Sequence, residues 1–126
     1  MTKILVAEDE TDIRELIAYS LIHMGGFEVV KAKNGIEAVE VAKAEFPDLI
    51  LMDVRMPNMT GVDACTALKK DPTTQSIPIV FLSAMGQEQE IKQGMDAGAA
   101  EYILKPFAPD VLLHKVQAIL KQMDAS

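Results

Sequence analysis

A single cysteine, Cys65, occurs in the 126 residues. That excludes an internal disulfide and fits a reducing compartment. Tryptophan is absent and aromatic residues make up 5% of the chain, which leaves little for stacking on a planar cofactor ring. Positive charge is also scarce. Lys and Arg number 12 against 19 Asp and Glu, giving a net charge of -7 and a pI near 4.7. Gripping a phosphate backbone needs clustered Lys and Arg, so this balance argues against a direct nucleic-acid surface and is compatible with cations or basic protein faces as partners. No apolar stretch approaches the roughly 20 residues that span a bilayer. The N-terminus enters strand-like sequence without the basic and apolar segments of a signal peptide. These absences predict a soluble, cytoplasmic protein with no membrane partner.

What is present is ordinary for a globular chain. Hydrophobic residues reach 49% and charged ones 25%, and the length suits one domain, expected over residues 1-126. Lys3 to Ala7 (KILVA) reads as a strand ended by Glu8-Asp9-Glu10. Thr11 or Asp12 is placed to cap the helix that follows, with Ile13, Leu16, Ile17, Ser20, Leu21 and Met24 at helical spacing and Gly25-Gly26 as its stop. Phe27 to Ala32 reads as a more amphipathic edge strand. Asn34-Gly35 opens a helix carrying Ile36, Val39, Val41, Ala42 and Phe46.

Asp48 to Met52 is a short, wholly apolar third strand after its first residue, and Asp53 sits where it leaves the core. A helix follows Thr60-Gly61 with Val62, Cys65 and Leu68 inward, then a polar loop broken by Pro72. Ile77 to Leu82 is the fourth strand, closed by Ser83-Ala84. Gly86 to Gly98 is a mostly polar helix anchored by Ile91 and Met95, and Tyr102 to Leu104 a fifth strand closed by Lys105-Pro106. The last helix starts at Asp110 and turns Val111, Leu112, Val116, Ile119, Leu120 and Met123 inward. Strands alternating with helices five times predict an α/β fold with a parallel sheet covered on both faces.

Ligands of such sheets sit outside the carboxyl ends of the strands. There the chain collects Glu8 and Asp9, Asp53, Ser83 and Lys105, each after its own apolar strand. Crowded carboxylates raise one another's pKa unless a cation joins them. All-oxygen surroundings without His or Cys suit Mg²⁺. An ammonium, a hydroxyl and a metal around one carboxylate nucleophile are the parts that phosphoryl transfer uses. By contrast, His23 and His114 each lie alone in helices and read as surface residues, Cys65 and most of the eight methionines as core filling, and Glu88 to Glu90 as a solvated helix face.

The ordered set Glu8-Asp9, Asp53, Ser83 and Lys105-Pro106, with MDVRMPNMTG around the aspartate, resembles the receiver domain of two-component response regulators over Lys3 to about Met123. The resemblance implies a flavodoxin-like, doubly wound, five-stranded parallel sheet in the order 2-1-3-4-5 with five helices. It implies that Asp53 accepts a phosphoryl group from a histidine kinase or histidine phosphotransfer protein in a phosphorelay. Asp9, Asp53 and the Arg55 carbonyl would bind Mg²⁺, with Glu8 acting through water. Ser83 and Lys105 would assist by holding the new phosphate, and Lys105-Pro106 would be cis. Ser83 and Tyr102 would form the switch that alters the surface of the fourth helix, fifth strand and last helix. Arg55 and Met85 occupy positions that tune phosphate lifetime: Arg55 is expected over the phosphate, Met85 to leave water unoriented, and the small Ala84 to leave the site open.

Such a protein would be no conventional enzyme, catalysing only its own phosphorylation and slow autodephosphorylation. The alternative is a phosphorylation-independent interaction module on the same fold. A metal-dependent phosphohydrolase would want an added general acid near the nucleophile, where Arg55 stands. A flavin or nucleotide carrier would be repelled by Glu8-Asp9-Glu10. The output partner is expected to be a target protein or a fused output domain.

Overall fold

The computed structural model describes residues 1-84 and 88-124. The elements are β1 (Lys3–Ala7), α1 (Thr11–His23), β2 (Glu28–Ala32), α2 (Gly35–Glu45), β3 (Leu49–Asp53), α3 (Gly61–Lys70), β4 (Ile79–Ala84), α4 (Glu88–Asp96), β5 (Glu101–Lys105) and α5 (Pro109–Asp124). All strand pairs are parallel, and the sheet order is β2-β1-β3-β4-β5.

Side-chain alternation divides the core into two layers. Ile4, Val6, Leu49, Leu51, Val80, Leu82 and Ile103 face one way, onto Ile17 and Leu21 of α1 and Leu112 and Val116 of α5. Leu5, Ala7, Ile50, Met52, Ile79 and Phe81 face the other, onto Ala38 and Ala42 of α2 and Ala64, Cys65 and Leu68 of α3. This is why β1, β3 and β4 read as continuous apolar runs: both faces of each are covered. Burying each large aliphatic contributes about 2 kcal/mol relative to leaving it in water.

Local chemistry sets the element ends. The Asn34 Oδ1 accepts from Glu37 N at 2.8 Å and the Thr60 Oγ1 from Asp63 N at 3.1 Å, capping α2 and α3. For α1 the expected cap fails: Thr11 and Asp12 lie inside the helix, and Glu10 holds the cap position without a side-chain bond. Strand β2 begins at Glu28, one residue later than expected, because the Phe27 N–H donates to Leu21 O at the end of α1. Pro78 has no N–H for the ladder, so β4 begins at Ile79 and runs on to Ala84, placing Ser83 inside the strand. Strand β3 likewise includes Asp53, and Val54 N continues the pairing to Leu82 O at 3.2 Å.

Several apolar helix positions expected inside are outside. Leu16, Ile36 and Val111 lie on the flanks of their stripes, and Met24 and Phe46 are cap residues beyond the last turn; all are exposed, as is Met123. Among the methionines, Met52 and Met56 are buried, whereas Met1, Met24, Met95 and Met123 are exposed. The buried residue of α4 is Gly94. A Cβ there would stand 2.3 Å from the Phe81 ring, so the aromatic fills the space a side chain on α4 would take. Ile91 is half-buried and Met95 exposed, so the expected Met95 anchor is replaced by Phe81 reaching up from the sheet. Both histidines are exposed and Cys65 is buried, as expected.

Candidate functional site

The carboxyl edge of the sheet is assembled from three strands. Glu8 follows β1 and stays in line with the sheet because its N–H donates to Ala32 O at 3.0 Å. It is fully buried, as expected only of a carboxylate with partners. Those partners are the Lys105 Nζ, 2.7 Å from Oε1, and the Glu10 N–H, 3.2 Å from Oε2. The Arg14 Nη1 donates to the Glu8 carbonyl at 2.8 Å and fixes the loop from the far side. Asp53, at the end of β3, is 8% exposed. Its Oδ2 accepts from Lys105 Nζ at 3.1 Å and its Oδ1 from the Arg55 N–H at 3.3 Å. One ammonium at the end of β5 thus joins two carboxylates from β1 and β3.

Asp9 is exposed and completes the group: Glu8, Asp9 and Asp53 each offer a carboxylate oxygen, and the three lie within 4.8 Å of one another. Electrostatics follow from that crowding. Partial burial and the neighbouring Glu8 raise the Asp9 pKa above the ordinary carboxylate value. Burial works against the Lys105 charge, yet Glu8 and Asp53 outweigh it and hold the Lys105 pKa above its ordinary value. Three hard oxygen donors without nitrogen or sulfur fit a small divalent cation such as Mg²⁺. The residues present therefore fit the expected metal.

Close backbone packing supports Asp53. Gly61 opens α3 with its N–H on Val54 O at 2.8 Å, and a Cβ on Gly61 would meet Asp53 O at 2.2 Å. No side chain larger than hydrogen fits between α3 and the end of β3. Ser83 is fully buried in β4, one step beyond the Leu82 that pairs with Asp53, and its hydroxyl donates to Ala84 O at 3.3 Å. The Lys105-Pro106 bond is cis. Tyr102 is 38% exposed and lines a shallow groove of about 600 Å³ between β5 and α5, with Leu104, Phe107, Val111 and Ile119.

Arg55 departs from expectation. Its guanidinium turns away from Asp53 to Glu90 on α4, with Nε 3.0 Å from both carboxylate oxygens and Nη2 bonded to one of them. Glu90 is accordingly no plain solvated helix residue. Met85 lies outside the described residues. In the sequence Glu90 reads only as part of a solvated helix face and Gly61 only as a helix opener, and Arg14 carries no reading at all. An Arg in the first turn of a helix opposes the helix dipole and could have pointed to Arg14, whereas nothing links Arg55 to a residue 35 positions on.

An open parallel sheet in this order, with carboxylates and a lysine converging at its carboxyl edge, defines the flavodoxin-like receiver class of α/β fold. The chain belongs to the response regulator receiver domain family, whose model matches residues 4-117. Similar curated proteins include the phosphate regulon transcriptional regulatory protein PhoB of Pseudomonas aeruginosa, 41% identical over 94% of this chain and 52% of its own length. Another is the DNA-binding dual master transcriptional regulator RpaA of Synechocystis, 37% identical over 98% of this chain and 51% of its own. The chain thus spans about half the length of the curated relatives it matches. Among solved structures, chemotaxis response regulator CheY4 of Vibrio cholerae superposes with a TM-score of 0.87 at 32% identity, covering 94% of this chain and 98% of that one. The receiver domain of a histidine kinase from Syntrophus aciditrophicus gives 0.89 at 30% identity, covering 100% and 95%. As a two-component receiver domain, the protein has a phosphorylation-controlled signalling role.

Proposed function

We propose that Asp53 is the phosphoryl acceptor of a phosphorelay, taking the group from a phosphohistidine of a kinase or phosphotransfer protein. The observation that carries this reading is the Lys105 ammonium bridging buried Glu8 and Asp53 beside Asp9. In the transfer, an Asp53 carboxylate oxygen forms the new O–P bond as the donor's N–P bond breaks, and the imidazole nitrogen leaves with the bonding pair. Lys105 neutralises charge on the phosphoryl oxygens, and among the described residues the Arg55 N–H and the Ser83 hydroxyl are further donors at this edge. Asp9, Asp53 and the Arg55 carbonyl would hold Mg²⁺, with Glu8 behind them. When bound, Mg²⁺ supplies positive charge that screens carboxylate from phosphoryl oxygen.

The response surface in this reading is α4, β5 and α5, with Ser83 and Tyr102 as the switch pair, and residues 1-126 act as one receiver unit. The partners are a histidine kinase or phosphotransfer protein and an output target or fused output domain. The deficit of basic residues supports a receiver portion that does not itself touch nucleic acid, although relatives of twice the length are named as transcriptional regulators. A cytoplasmic location is part of the same reading. Among the described residues, no helix is long and apolar enough to cross a membrane.

The test is intact mass after incubation with Mg²⁺ and acetyl phosphate, for wild type beside Asp53→Asn. A gain of one phosphoryl group that needs Mg²⁺ and disappears in the variant is expected. No gain in a folded, Mg²⁺-binding protein would favour a phosphorylation-independent interaction module.

A further inference from the structure

Arg55 stands between two anions. Its main-chain N–H is bonded to the Asp53 carboxylate, so its side chain starts beside the acceptor. Its guanidinium is nevertheless committed to Glu90, through Nε to both oxygens at 3.0 Å and through Nη2. This is the forked arrangement in which Arg holds a carboxylate best. The Arg55 side chain is 68% exposed and Glu90 28%, so the pair lies at the surface, where the arginine is free to swing. The bond spans from the loop that follows Asp53 to α4, a helix whose one buried residue is Gly94. An element so lightly anchored is one that a single ion pair can bias.

We propose that Glu90 is a counter-anion of the acceptor site. It holds Arg55 off Asp53 while the aspartate is unmodified, and keeps only a weakened share of the arginine once Asp53 carries a phosphoryl group. This inference rests on Asp53 being the acceptor and adds the regulation of that site. Two consequences follow from charge. Before phosphorylation, a tethered Arg55 cannot pair with the Asp53 carboxylate, so the acidic pocket stays open to a cation. After phosphorylation, the new group carries close to two negative charges beside the Arg55 backbone and outcompetes a single carboxylate. Arg55 then covers the phosphoryl group against water, and the bond from α4 to the acceptor loop weakens. Lys105 cannot play this part, because buried Glu8 fixes it in place.

The experiment loads wild type, Arg55→Ala, Glu90→Gln and the double variant with acetyl phosphate and Mg²⁺. It follows loss of the phosphoryl group by intact mass, after circular dichroism has checked each fold. Glu90→Gln is expected to lengthen the half-life about two- to fivefold, the range a partly exposed ion pair supports. In the Arg55→Ala background the same change should do nothing. Hydrogen exchange supplies a second readout. Amides of residues 88-96 should exchange faster on phosphorylation of wild type, and in unmodified Glu90→Gln they should already be fast. An effect of Glu90→Gln that is equal in both backgrounds, or absent from both, overturns the proposal while leaving the acceptor intact. So does α4 exchange that ignores phosphorylation. Absence of any Asp53-dependent mass gain overturns the acceptor reading, and this proposal with it.

Discussion

Glu8 is fully buried, and it is ion-paired with Lys105. Removing one member of a buried pair costs more than the pair is worth, because the other is left charged and dry. Lys105→Ala should therefore destabilise the protein by about 2 kcal/mol, short of the fully buried range because Lys105 keeps some contact with water. Adding Glu8→Gln should recover part of that loss in urea unfolding. The pH dependence follows from the raised Lys105 pKa. A lysine whose folded value exceeds its unfolded one contributes its full stability below the unfolded value of about 10.5 and loses it as the pH rises through the folded value. The difference in stability between wild type and Lys105→Ala should shrink on that alkaline ramp. A difference that stays flat to the end of the ramp would show that the lysine acts through packing alone.

At the scale of elements, close approach matters more than propensity. Alanine favours a helix over glycine by about 1 kcal/mol, yet Gly94→Ala should destabilise by about 1 to 3 kcal/mol. The added methyl meets the edge of the fully buried Phe81 ring, which has nowhere to move. Thermal melts of Gly94→Ala beside Gly94→Ala/Phe81→Leu check this, the second change making room and restoring part of the loss. Neither partner announces the other in the sequence.

The strands were legible because the sheet is covered on both faces, which writes apolar runs such as Leu49 to Met52 directly into the chain. The strand-end residues Glu8, Asp9, Asp53 and Lys105 were legible for a related reason, since a parallel sheet delivers its strand ends to one edge. Illegible were contacts made by long exposed side chains. Arg55 could have gone to Asp53 or to Glu90, and the choice depends on where α4 sits. Equally hidden was which apolar helix residues stay outside. Leu16 satisfies the helical period yet lies on the flank of the stripe that packs on the sheet.

For the molecule as a whole, any ligand that binds the native state alone stabilises it in proportion to the logarithm of its concentration. Mg²⁺ should therefore raise the melting temperature of wild type and do little for Asp53→Asn. Asp9 adds a pH dependence of its own to the metal-free protein. Its folded pKa is raised, so its contribution to stability is most favourable below the ordinary value of 3.8 and is lost as the pH rises through the folded value. Above that, the ionised Asp9 is a burden. Asp9→Asn should be more stable than wild type at neutral pH without metal, with the gap closing toward acid and reversing when Mg²⁺ is added. Melts over a pH series, with and without Mg²⁺, check both signs.

Lys105 and Glu8 are 97 positions apart in the chain. Asp53 is synthesised long before the ammonium it needs, and a chain cut after residue 100 would keep all three carboxylates with nothing to balance them. During synthesis the acidic edge is an unbalanced cluster until the last strand has emerged and docked beside β4. On the proposed acceptor role, reactivity at Asp53 would certify that the chain has been made through its fifth strand and folded.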